Sequence, residues 1–180
     1  MNEYYKEIPS EDMFDFESFY DMVANGLPKE CRIAEIGLSN GRSILYLAAK
    51  LKELGKEAKI VGIDSMAYGG VNQRNEIINH IIKSGLHVEL LEMSSLDAST
   101  KYPDDYFDFV FIDSSHTYEQ TKAEILLWQR KIKDGRILAG HDYNFQEGKE
   151  VLEAVNEIIG SDNVMTHGTR NGFNVWYKVK

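Results

Sequence analysis

The sequence of 180 residues predicts a single α/β domain built on a parallel sheet with helices on both faces. Three features predict it. Short apolar runs alternate with segments of helical period, two glycines follow the first apolar run at once, and the last segment changes to a period of two. Strands and helices in strict turn imply a parallel sheet covered on both sides.

The first helix is expected to start at Ser10, where a hydroxyl followed by Glu11 and Asp12 suits a helix N-terminus, and to run to about Ala24. Its apolar side carries Met13, Phe16, Tyr20 and Val23, and Phe14 and Phe19 widen the stripe. These aromatics either dock the helix on the sheet or touch a ligand. After Asn25, Gly26 and Pro28, residues Cys31 to Ile36 read as a buried strand. Ile44, Leu47, Ala48 and Leu51 then recur at helical spacing until Gly55. The alternation continues with a strand at Lys59 to Ile63, a helix at Asn75 to Lys83 and a strand at His87 to Leu91. A strand at Phe107 to Ile112, a helix at Tyr118 to Arg130 and a strand at Arg136 to Gly140 follow. Val151, Leu152, Val155, Ile158 and Ile159 make a last amphipathic helix. Asn163 to Thr166, a turn at Arg170 to Gly172, and the alternation Phe173, Val175, Tyr177, Val179 predict a terminal hairpin on the sheet edge. With no repeat or linker, residues 1–30 read as a helical cap and 31–180 as the core of the same domain.

Composition narrows the function classes. An apolar share of 43% with 27% charged residues suits a globular protein and excludes disorder. Twenty basic against twenty-nine acidic side chains give a net charge of −9, which disfavours a nucleic-acid partner. A single cysteine, Cys31, forms no internal bridge, no leader pattern opens the chain, and no apolar run nears the roughly 20 residues a membrane crossing needs. A cytoplasmic location is expected.

Ala34-Glu35-Ile36-Gly37-Leu38-Ser39-Asn40-Gly41-Arg42-Ser43 puts two glycines between a strand and a helix, where the backbone can turn sharply and approach a ligand at the sheet's switch point. The Gly-x-x-x-Gly spacing differs from the Gly-x-Gly-x-x-Gly that seats a pyrophosphate, which weighs against a dinucleotide. Glu35 would repel a diphosphate but can hold the ammonium of an amino-acid moiety, such as that of S-adenosylmethionine. Asp64 ends the second strand, where a carboxylate can accept both ribose hydroxyls, and Ser65 and Met66 follow beside the expected nucleoside. An ordinary tight turn and a helix cap are the plain alternatives.

The run Phe109-Val110-Phe111-Ile112-Asp113-Ser114-Ser115-His116-Thr117-Tyr118-Glu119, then Trp128, Gly135 and Ala139-Gly140-His141-Asp142-Tyr143, resembles the class I S-adenosylmethionine-dependent methyltransferases, specifically the small O-methyltransferase-like family with Ile-Asp-x-x-His-x-Tyr and Gly-His-Asp-Tyr elements. The likeness spans about Cys31 to Trp176. It implies a Rossmann-like, doubly wound, mostly parallel seven-stranded sheet whose C-terminal strand is antiparallel. It also implies cofactor contacts at Glu35, Gly37, Asn40, Gly41, Ser43, Asp64, Ser65, Ser95 and Asp113, with Ser94 the alternative to Ser95.

Asp113, His141 and Asp142 should emerge at neighbouring strand ends, where two carboxylates and an imidazole could bind magnesium or another divalent ion. Related enzymes use acids there, and imidazole is the poorer magnesium ligand. Alternatively His116 or His141 acts as general base, or His141 bonds loop backbone while Asp113 caps a helix. Tyr118 is expected to line the pocket and Trp128 the core, whereas His80, His87, His167 and Cys31 read as structural. The expected reaction is O-methylation of a small acceptor, a sugar or polyol. A hydroxylase-type relative and a non-catalytic cofactor-binding module are the other readings. An exposed hairpin edge makes a homodimer reasonable.

Overall fold

The computed structural model describes residues 3–9, 14–144 and 149–180. Its elements run α1 (Glu17–Gly26), β1 (Glu30–Ile36), α2 (Arg42–Glu53), β2 (Glu57–Asp64), α3 (Gly70–Ser84), β3 (Glu89–Glu92) and α4 (Ser95–Ser99). They continue with β4 (Phe107–Ile112), α5 (Tyr118–Lys131), β5 (Ile132–Gly140), α6 (Glu150–Ile159), β6 (Met165–His167) and β7 (Val175–Val179). The seven strands form one sheet in the order β3-β2-β1-β4-β5-β7-β6. Strands β1 to β5 pair in parallel, and β7 runs antiparallel to both β5 and β6. This is the doubly wound, Rossmann-like sheet that the alternation and the resemblance led one to expect. The winding reverses between β1 and β4, so their carboxyl ends flank the switch point where open α/β sheets bind ligands.

Period-two burial divides the core. Ile33 of β1 faces α1, α2 and α3 with Phe109 and Phe111, whereas Ala34 and Ile36 face α4, α5 and α6 with Val110, Ile112 and Trp176. Trp128 is fully buried on the second face, as its helical position predicts. Gly140 is required there, since a Cβ on it would lie 2.6 Å from both the Ile112 carbonyl oxygen and the Trp176 ring.

Three local features differ from the sequence expectation. Residues 14–16 precede α1 instead of lying in it, and the expected start at Ser10 and the side chain of Met13 fall outside the described residues. Phe14, Asp15 and Phe16 are all buried in succession, which a helix, turning 100° per residue, does not allow on one packed face. The five-residue α4 is too short to show a period in the sequence, but the Ser94 side chain accepts the Asp97 N–H and caps it. Strand β5 begins at Ile132, with a register shift opposite Phe107 to Phe109 where Gly135 takes φ +72°. The hairpin lies at the sheet edge as expected, with the short β6 outermost and β7 between it and β5. Among the described residues no helix is long and apolar enough to cross a membrane.

Candidate active site

The chain leaves β1 through Gly37, whose N–H donates to the Ile63 carbonyl at 2.8 Å. Gly37, Ser39 and Gly41 have φ of +83°, +48° and +84°, and this alternation folds the loop back on itself before α2 starts. Asn40 Oδ1 accepts the Arg42 N–H at 3.3 Å, and its amide donates to the Pro9 carbonyl, tying the N-terminal segment over the loop.

Glu35 is only 1% exposed, turned toward α1 and α2. The Tyr20 hydroxyl donates to it at 2.9 Å, and the Ser43 hydroxyl donates to its other oxygen. Burial pushes its pKa up to about 8 despite those two donors. Because the folded value lies above the ordinary one, Glu35 favours folding most at low pH, and that contribution is lost as pH rises through about 8. We expect Glu35→Gln to flatten the stability profile between pH 5 and 8, gaining on the order of a few kcal/mol relative to the parent at the upper end. Urea titrations across that range that run parallel for parent and variant would contradict this.

Asp64 is held at the end of β2 by three donors. Its Oδ2 accepts the Leu38 N–H at 2.9 Å and the Gln73 side-chain amide at 3.4 Å, and its Oδ1 accepts the Met66 N–H at 2.7 Å, which fixes the carboxylate and leaves Oδ1 the less committed oxygen. Ser65 beside it is exposed and Met66 is buried. Tyr68, in the turn before α3, projects into solvent with 92% exposure.

Ser95 is buried and donates to Glu124 at 2.5 Å, while Ser94 is committed to capping α4. Glu124, wholly buried, also accepts from Ser114 and from Gln120, at 2.7 and 2.9 Å. Burial raises its pKa against these donors. The sequence reading missed Glu124, although an acid among Thr121, Ile125 and Trp128 on the buried stripe of α5 was a legible signal.

Beyond β4 and β5, four expected residues converge. Asp113 follows β4, held by its N–H to the Ile36 carbonyl, and His141 follows β5, held by its N–H to the Ile112 carbonyl. His116 Nε2 lies 2.9 Å from Asp142 Oδ2 and 3.9 Å from Asp113 Oδ1. His141 Nδ1 lies 3.3 Å from the same Asp142 oxygen, and its Nε2 is 3.1 Å from Asp15. The nearby carboxylates of Asp113 and Asp142, the latter within hydrogen-bond distance, outweigh the partial burial of His116 and raise its pKa to about 10. Burial alone would lower His141, but Asp142 and Asp15 reverse that and raise it to about 10 as well. Asp142, though buried, is held well below the ordinary carboxylate range by its bonds to the two histidines. Asp15, 3% exposed, was not foreseen; it accepts from His141 and from the Asn171 N–H at 3.0 Å, and it orients the imidazole.

Asp113, His141 and Asp142 each offer a ligand atom, all within 4.8 Å of one another. The donor set suits a divalent cation: with Nε2 bonded to Asp15, His141 presents Nδ1 toward Asp142, the carboxylate–imidazole arrangement that supports metal ligands. The adjoining cavity, lined by Asp113, Ser115, His116 and His141 among others, is narrow, about 10 Å³.

Tyr118 departs from expectation: it turns to α6, where its hydroxyl donates to Glu157. His80 bonds Tyr4 and His167 bonds Ser18, at 3.0 and 2.9 Å, and Cys31 is buried, all in keeping with structural roles.

Residues 34–143 match the family described as methyltransferase domain, which takes in both the glycine loop and the histidine–aspartate cluster. The chain belongs to that family and is a class I S-adenosylmethionine-dependent methyltransferase. Solved structures share its fold. It is similar to an O-methyltransferase from Bacillus cereus in complex with S-adenosylhomocysteine, with a TM-score of 0.71 and 18% identity over 97% of this chain and 86% of that one. It is also similar to the O-methyltransferase TomG from Streptomyces achromogenes, in complex with S-adenosylmethionine, with a TM-score of 0.65 and 16% identity over 91% and 79%. A TDP-rhamnose 3'-O-methyltransferase of calicheamicin biosynthesis gives a TM-score of 0.68 and 17% identity over 91% and 76%. No curated protein sequence matches the chain.

Proposed function

We propose that the chain methylates a hydroxyl oxygen of a small polar acceptor, a sugar or other polyol, beyond the carboxyl ends of β4 and β5. The observation that carries this reading is the convergence of Asp113, His116, His141 and Asp142 beside the Gly37 loop. Clustered carboxylates and imidazoles match the hydroxyls of a polyol, and the shared fold of the TDP-rhamnose enzyme supports an oxygen on a sugar. Gly37, Asn40, Gly41 and Ser43 shape the cofactor loop, Asp64 and Ser65 serve the ribose, and Ser95, braced by Glu124, serves the base. When bound, the cofactor supplies a methyl already activated by its sulfonium.

The carboxylates that hold both imidazoles raise their pKa values to about 10, which favours a carboxylate over His116 or His141 as the resting base. Asp113 is the acid least committed to the histidines, and it takes the hydrogen of the acceptor hydroxyl. His116, held by Asp142, faces the negative charge that develops on that oxygen. His141 is kept in place by Asp15. A divalent ion held by Asp113, Asp142 and His141, taking the place of the proton on His141 Nδ1, would add charge neutralisation at the same oxygen.

Calorimetry with S-adenosylmethionine and S-adenosylhomocysteine, then an acceptor screen with and without magnesium or manganese, tests this. We expect Asp64→Ala to weaken S-adenosylhomocysteine at least about tenfold with an unchanged circular dichroism spectrum. No binding by the parent chain would end the reading, and full activity in chelator would remove the metal from it.

A further inference from the structure

A second cavity, of about 460 Å³, opens at the opposite end of the sheet, among the amino ends of β1, β2 and β4. Its lining residues on β2, Ala58 to Val61, lie about 10–20 Å along the strand from Asp64, at about 3.3 Å per residue. Its origin is in the connections. β3 begins pairing only at Glu89 opposite Val61, so the outer edge of β2 before Val61 has no strand beside it. The five residues of α4 reach only about 7.5 Å, too little to cover this end of the face.

The size and lining are those of a small-molecule site. Val61 lines it together with Tyr102 and Tyr106, whose ring centroids are 5.4 Å apart, and Ile60, Leu86 and Val88 close it around the open edge of β2 from the other face of the sheet. The Arg32 guanidinium lies 4.4 Å over the Tyr106 ring, a stacking that leaves its N–H edge free to bind. Among the described residues neither Arg32 nor Lys59 has a carboxylate partner for its side chain, whereas the neighbouring Lys133 and Arg136 are both engaged by Asp108, at 2.7 and 3.4 Å. Glu89 is the one acid among the lining residues. Two cations against one acid leave a single positive charge in a chain whose net charge is −9.

We propose that this cavity is a second ligand site, independent of the methyl-transfer reading, and that it takes a flat, apolar monoanion of the aromatic carboxylate class. The guanidinium fork of Arg32 and the ammonium of Lys59 hold the carboxylate, and the ring lies against Val61 and the two tyrosines.

The test is titration of the full chain with 2-naphthoate, followed by calorimetry and by amide chemical shifts. Shifts should centre on Arg32, Lys59 and His87, and saturating S-adenosylhomocysteine should leave the affinity unchanged. The uncharged 2-naphthamide should bind at least about tenfold more weakly, and Arg32→Gln should cost a similar factor. Lys59 is exposed, so Lys59→Glu provides a variant with an undisturbed core, and it too should lose about tenfold. Equal binding of the amide, displacement by S-adenosylhomocysteine, or unchanged affinity in Lys59→Glu would overturn the proposal.

Discussion

Gly37→Ala is expected to destabilise the chain by about 3 kcal/mol or more and to weaken S-adenosylhomocysteine at least about a hundredfold. A Cβ at this position would lie 1.9 Å from the Asp113 carbonyl oxygen and 2.8 Å from the Ser114 Cα, and these are backbone atoms that cannot swing away. The φ of +83° adds its own strain. Relief requires the end of β4 to move, which carries Asp113 out of the cluster and separates the two halves of the site. Gly41 supplies the control. It has nearly the same φ, +84°, but its added Cβ would meet only the Ile77 side chain at 3.6 Å. Gly41→Ala should therefore cost only about 1–2 kcal/mol. Guanidinium unfolding of both variants decides the point, and equal losses would show that close packing on Asp113 is not what selects glycine.

Asp142→Asn should lower methyl transfer about a hundredfold while leaving the fold intact. Its φ of +59° is one that asparagine accepts nearly as readily as aspartate, so the backbone has no reason to move. What is lost is the charge bonded by both His116 and His141. His116 should titrate well below its value of about 10, closer to an ordinary imidazole, and His141 should fall less because Asp15 remains. Stability should follow the same groups. A histidine raised in the fold stabilises it fully below the ordinary imidazole pKa of about 6.5 and ceases to do so as pH passes about 10. The variant should lose most stability near and below pH 6.5, and the loss should fade as pH approaches 10. Ring proton shifts against pH give both values, and imidazoles that titrate as in the parent would refute the assignment.

Much of the fold could be read from local sequence because the strands of a parallel sheet are covered on both faces and so appear as apolar blocks. Phe107 to Ile112 was bounded correctly for that reason. Glycine positions and strand-end acids were legible because each is imposed by a local backbone requirement. What escaped depended on distant partners. Tyr118 was assigned to the pocket, yet its direction is set by Glu157 on α6. Asp15 looked like one acid among several near the start of a helix, and its role comes from His141 and Asn171, 126 and 156 positions away. The hairpin was visible in its alternation, but the insertion of β7 between β5 and β6 is a choice of neighbour that no local period encodes. Glu124 is different, since its place on a buried stripe was open to view.

The bond from Asp15 to the far end of the polypeptide bears on how the molecule forms. Helices and adjacent parallel strands can assemble from near neighbours, but the contacts of Asp15 with His141 and Asn171 close nearly the longest loops the polymer offers, and such closures come late and slowly. A ribosome-bound chain lacking its final ten residues would have every parallel strand and still lack the Asn171 N–H that holds Asp15. Pulse-labelled refolding should accordingly find amides of β1 and β4 protected before those near Asn171.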